Sequence, residues 1–170
     1  MQAKTDNPAS LDIGLLLYPG AQRAAVHGLA DLFLVANRVV AELGALELPS
    51  VRISFWQADE AGQLQPAPES PPAAAADLRV LIIPPSLESA PQGELLERHR
   101  ASLCQLHGHG TVLASVCIGV FFIAASGLLD GRRPAPTGTT CIRLPSVFPR
   151  CGSRPSNRCW TMATSSPRPG

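Results

Sequence analysis

An α/β domain, with a largely parallel sheet covered on both faces, is the fold class this sequence predicts, and three observations predict it. Short, uniformly apolar runs recur at "LDIGLLL", "LRVLII" and "TVLASV", as strands buried on both sides require. Longer segments with apolar residues at helical spacing lie between them, as crossovers between parallel strands would. The 170 residues are enough for one domain with a real core and argue against two.

Each element has its own signal, in chain order. "LDIGLLLYPG" is an apolar run closed by Pro-Gly and reads as a strand. "AAVHGLADLFLVANRVVAEL" has the helical period, with Gly44 as its stop. "VRISFWQA" alternates as a strand does, and "GQLQPAPESPPAAAA" is a proline-broken connection. "LRVLIIPP" is the next strand. "GELLERHRASLCQLHGHG" reads as a helix with Glu94, Glu97, Arg98 and Arg100 on its polar face and glycine at its end. "TVLASV" is a further strand and "IGVFFIAASGLL" a helix.

Composition sets the class of protein. With 45% apolar residues, 5% aromatic residues and a formal net charge of +1, the chain reads as a soluble globular protein without a strong electrostatic preference. Neither nucleic acid nor a membrane surface is implied by that total. The polar start "MQAKTDNPAS" carries no secretion signal, and the longest apolar run, "VLASVCIGVFFIAA", is shorter than the ~20 residues that span a bilayer. A cytoplasmic location is expected, and five cysteines without paired spacing fit reduced thiols.

Chemistry in parallel sheets collects beyond the carboxyl ends of the strands, and Cys117 falls at such an end. Ser115 and Gly119 lie two residues to either side, the spacing of a nucleophile elbow. A helix starting there would turn its amino terminus toward the sulfur and favour thiolate. Set against this, a lone cysteine in an apolar run is commonly inert core.

"IGLLLYPG", "LIIPP" and above all "ASVCIGVFFIAASGLLDGRR" together resemble the ThiJ/PfpI superfamily, the class I glutamine amidotransferase-like fold. The resemblance is strongest to the amino-terminal domains of AraC-type transcriptional regulators and runs from about Leu11 to Arg133. It implies a flavodoxin-like three-layer sandwich, usually homodimeric, with Cys117 at the elbow and an unknown small molecule as ligand. The ligand-binding residues it implies are Cys117, Ile118, Pro85, Ser86, Ala25 and His27, with Cys117 the one catalytic residue.

Three departures from the superfamily pattern bear on catalysis. Ala25 stands where an acidic residue approaches the cysteine, and Asp31 and Asp12 do not fit that spacing. Pro85 and Ser86 replace glycines whose amides face the pocket, and proline has no N–H to donate to an oxyanion. Ile118 stands where the protease-like branch has histidine. A thiol without a carboxyl or imidazole partner lacks a base. The expected function is therefore ligand sensing, with a cysteine-dependent amidase, hydratase or glyoxalase-like enzyme as the alternative.

Other groupings carry less. Cys104, His107 and His109 are three soft-metal ligands within "CQLHGHG", but no fourth is visible, and a helix end near its carboxyl terminus explains the histidines. Arg132 and Arg133 fit a solvated turn. No metal and no cofactor are expected.

Beyond Arg133 the chain changes character. Residues 1–133 hold all 13 acidic side chains, whereas residues 134–170 hold 5 arginines, no acid, 7 of the 17 prolines and 3 of the 5 cysteines. The sequence thus divides into a disordered start at 1–10, a ThiJ/PfpI-like domain at 11–133 and an irregular basic tail at 134–170. Read one base out of frame, Ala135 to Gly138 can encode Thr-His-Trp. Trp160-Thr161 must then give Asp and Met162-Ala163 must give Gly, matching the residues found after the elbow helix in the AraC-linked family. A frame change between Arg133 and Pro136 is expected, the alternative being a real, disordered, basic segment. On the expected reading the sheet is incomplete at its carboxy-terminal end. The chain would then stop short of a helix-turn-helix region and would not bind DNA specifically.

Overall fold

The computed structural model describes residues 10–45, 47–71, 78–130 and 159–162, the last four by backbone alone. The elements are β1 (Leu11–Leu17), α1 (Arg23–Glu42), β2 (Val51–Ala58), β3 (Leu64–Pro66), β4 (Leu78–Ile83) and α2 (Glu94–Gly108). They continue with β5 (Val112–Val116), a 3-10 turn at Cys117–Gly119, α3 (Val120–Ala125) and β6 (Cys159–Met162). The strands form one sheet in the order β3-β2-β1-β4-β5-β6, parallel except where β3 runs antiparallel to β2.

Period-two alternation builds two cores from the same strands. Ile13, Leu15, Ile82 and Ala114 turn to one face and pack with Val26 and Ala30 of α1. Leu16, Leu81, Ile83 and Leu113 turn to the other and pack with Leu96 and Leu103 of α2 and with Phe121, Phe122 and Ile123 of α3. The result is the expected three-layer α/β sandwich.

A side-chain clasp anchors α1 to the sheet. Asn37 Nδ2 donates to the Val51 carbonyl at 2.7 Å, and its Oδ1 accepts from the Val51 N–H at 2.8 Å. With 20 residues, α1 is long and apolar enough to cross a membrane by length and composition, yet its Val26 and Ala30 are buried against the sheet. Leu32, Val35, Val39 and Leu43, spaced three or four residues apart on the outward face, are 60, 50, 45 and 77% exposed.

Three elements differ from the sequence reading. The proline-broken connection after Gly62 contains β3, whose residues Leu64 to Pro66 pair with Trp56 to Ala58. Proline is tolerated there because this is an edge strand with no outer partner to serve. The helix after the elbow is shorter than its apolar run, since α3 ends at Ala125 and the chain turns at Gly127, with φ +77°. Finally, β6 lies in a stretch with no legible strand period. It pairs in parallel with Leu113 to Val116, so the edge of the sheet on that side is β6 and not β5. The other readings beyond Asp130, including the frame change, Arg132 and Arg133, lie outside the described residues, as does the start at 1–9.

Candidate functional site

At the end of β5 the backbone reverses sharply. Cys117 has φ +53°, the one positive value at a non-glycine residue among those described. An L-residue in that region carries roughly 1–2 kcal/mol of strain, and such strain persists only where the surroundings impose it. Gly119 imposes it. A Cβ there would lie 2.6 Å from the Ile83 carbonyl oxygen and 2.9 Å from that of Pro84, so the turn can press against β4 only because residue 119 has no side chain. Cys117 is left exposed on the outside of the turn.

The spacing of small residues around Cys117 is thus structurally meaningful, but the expected helix amino terminus is not at the sulfur. Cys117 opens a 3-10 turn, and α3 begins at Val120 with only six residues. Ser115 is fully buried, and its Oγ has no hydrogen-bond partner among the described residues.

Two loops form the rim beside the elbow, and backbone and side-chain bonds stitch them together. The Gln22 N–H donates to the Pro85 carbonyl at 2.8 Å, and the Leu87 N–H to that of Gly20 at 3.2 Å. Ser86 Oγ donates to the Gly20 carbonyl at 2.8 Å and accepts from the Glu88 N–H at 2.9 Å. Below them the Tyr18 hydroxyl donates to the Pro84 carbonyl at 2.8 Å. Burial pushes the phenol pKa of Tyr18 well above its ordinary value, and the charge of Cys117 adds to the effect.

The expected site residues do not converge on one place. Pro85 and Ser86 are half-buried parts of the rim, and Ser86 lines a cavity of about 250 Å³ with Tyr18, Pro19 and Glu88. Ile118 is half-buried and packs against the core. Ala25 is half-buried in the first turn of α1 and offers no polar atom to the elbow. His27 is exposed, its ring centroid 6.1 Å from that of Phe55, and lines a separate cavity of about 120 Å³. Neither alternative acid serves Cys117. Asp12, buried in β1, is held by the Arg52 guanidinium through both carboxylate oxygens, and Asp31 is exposed on α1.

A larger space than either of these cavities lies elsewhere. A cleft of about 640 Å³ opens between the carboxyl ends of β1 and β2 and the first turns of α2, with Tyr18, Arg23, Gln57, Glu69, Arg98 and His99 among its walls. His99 is only 2% exposed. Its Nδ1 lies 2.8 Å from the Leu95 carbonyl oxygen, and its ring meets Phe122 edge-on at a centroid distance of 5.1 Å. Desolvation lowers its pKa, so the imidazole is neutral at physiological pH. Nothing in the sequence marks these residues as a group, because they come from four separate segments and His99 sits within an otherwise charged helix stretch.

No protein-family model matches the sequence. The chain is 33% identical over 143 residues to an uncharacterized protein in the cpoL 5' region of Streptomyces lividans, a match that covers 78% of this chain and 94% of that protein. In structure it is similar to an AraC family transcriptional regulator from Pseudomonas putida, with a TM-score of 0.58, 17% identity and coverage of 91% of this chain and 77% of that one. It is also similar to a ThiJ/PfpI family protein from Pseudomonas syringae, with a TM-score of 0.53, 19% identity and coverage of 94% and 64%. The chain belongs to one family with the Streptomyces lividans protein, on the ThiJ/PfpI fold. Within a ThiJ/PfpI frame the sharp turn at Cys117 is the elbow that the sequence resemblance implied.

Proposed function

We propose that the chain is a small-molecule-sensing domain of the kind carried by AraC-type transcriptional regulators, acting in the cytoplasm as a homodimer. The observation that carries this reading is the set of residues standing where an elbow thiol would need chemical help. Ala25 supplies no carboxyl, Pro85 supplies no N–H, Ile118 is packed against the core, and Asp12 is engaged by Arg52. Neither Ala25 nor Ile118 has a side chain that can take a thiol proton, and Pro85 withholds one N–H from an oxyanion, so both services that nucleophilic catalysis uses are weakened. The P. putida regulator supports the reading at the level of fold, and the exposed apolar face of α1 supports the dimer.

The second reading is a cysteine-dependent enzyme, favoured by one observation: Cys117 is exposed and held in a strained conformation at the tip of a tight turn. Comparing Cys117→Ala with the parent protein separates the two. Sensing predicts sluggish alkylation of Cys117 by iodoacetamide near neutral pH and no Cys117-dependent turnover of 4-nitrophenyl acetate or methylglyoxal. Turnover that disappears in Cys117→Ala would overturn it.

A further inference from the structure

We propose that the cleft between β1, β2 and α2, and not the Cys117 rim, is the ligand seat, and that it takes a small zwitterion, a free amino acid or a compound with the same pair of charges. This inference rests on the sensing reading and gives that reading a place and a ligand class.

Size comes first. About 640 Å³ falls within the range of pockets that enclose small metabolites, whereas the two neighbouring cavities, at about 120 and 250 Å³, fall below it. Charge comes next. Four charged side chains line the cleft, and two of them, Glu94 and Arg98, already face each other at 3.6 Å one helical turn apart. The remaining two, Arg23 and Glu69, make no ion pair among the described residues. They line both this cleft and the 120 Å³ cavity beside it. One unpaired cation and one unpaired anion on a shared wall match a ligand that carries both signs, and mismatch a simple anion or a simple amine.

His99 adds a buried polar group to the same wall. The Leu95 carbonyl can only accept, so Nδ1 carries the imidazole proton and Nε2 presents a lone pair. That Nε2 is buried and has no hydrogen-bond partner among the described residues. A buried acceptor left unmatched costs free energy comparable to a lost hydrogen bond, and a donor reaches it only where the ring or the first turns of α2 shift to uncover it. An ammonium brings three N–H donors, for which the Glu69 carboxylate is an acceptor on this wall, while the Gln57 amide offers one donor and one acceptor group to the remainder of the molecule.

The test is a titration of the ¹⁵N-labelled 170-residue protein with glycine, 4-aminobutanoate and arginine, with butanoate and butylamine as single-charge controls. At least one zwitterion is expected to move the amides of Tyr18, Gln57, Leu95 and His99 and to bind about ten-fold more tightly than either control. Glu69→Gln and Arg23→Gln, both at exposed positions, should each weaken the zwitterion about five-fold. Glu69→Gln should also weaken butylamine while leaving butanoate unchanged. No shift with any zwitterion, or equal affinity for zwitterion and controls, would overturn the proposal. Shifts centred on Cys117, Ser86 and Leu87 would overturn it too while leaving the sensing reading intact, whereas Cys117-dependent turnover would remove the sensing reading alone.

Discussion

Gly119 and Gly28 show how much one hydrogen in place of a methyl can matter. Adding a Cβ at 119 drives it into the backbone of β4, while at 28 it meets nothing within 4 Å. Gly119→Ala is therefore expected to destabilise the fold by about 1–3 kcal/mol, seen as a Tm several degrees lower. Gly28→Ala, inside a helix, should stabilise it by about 0.5–1 kcal/mol. Equal Tm values for the two variants would show that the elbow does not press on β4. Tyr18, the single tyrosine, reports on the same region. Its phenol holds its proton more tightly folded than unfolded, so its contribution to stability is complete below pH about 10 and is lost as pH rises further. Tyrosinate absorbance should stay flat through pH 10 and appear only together with unfolding; a transition near 10 in the folded protein would contradict its burial. The spacing Ser115-Cys117-Gly119 made the elbow legible in the sequence, because a tight turn constrains its immediate neighbours. The role of Tyr18 was not legible, since its partner Pro84 is 66 residues away.

Among the elements, α1 carries the clearest unfinished surface. It is the one helix on its face of the sheet among the described residues, and Val51, Ile53, Phe55 and Val80 beneath it are only partly buried. Val35→Glu, in the middle of the Leu32-Val35-Val39-Leu43 stripe, is expected to convert a dimer to a monomer in sedimentation equilibrium. Leu34→Glu, 58% exposed but off the stripe, should not. Identical behaviour of both variants would remove α1 from the interface. The elements that sequence reasoning found are those with an unmistakable period: β1, β4 and β5 as apolar runs, α1 and α2 at helical spacing. It missed β3 because three residues cannot display a period and Pro66 argues against a strand anywhere but at an edge. It overextended α3 because "SGLL" continues the apolar run while Gly127 has already ended the helix.

At the scale of the whole molecule, β1 lies between β2 and β4, so the crossovers leave it in opposite directions and a crevice opens at its carboxyl end. Tyr18 stands there and lines all three cavities. The sequence foretold that chemistry would collect at strand ends, but not which ends: the elbow marks β5, whereas the cleft of about 640 Å³ belongs to β1 and β2. The same strand order also governs how the chain reaches its fold. Only β2 and β3 pair with near neighbours in sequence. The other four pairings must each close a long stretch of chain, longest between Leu17 and Leu78 and next longest between Val116 and Cys159. Closing such loops costs entropy before any contact repays it, so folding should be slow and ordered by loop length. In pulse-labelling hydrogen exchange, amides of Trp56 to Ala58 are expected to gain protection before those of Cys159 to Met162; the reverse order would refute this. Newly made chains would then pass through a period in which β5 has no neighbour on its outer side, and in that interval a second unfinished copy competes with β6 for the same edge.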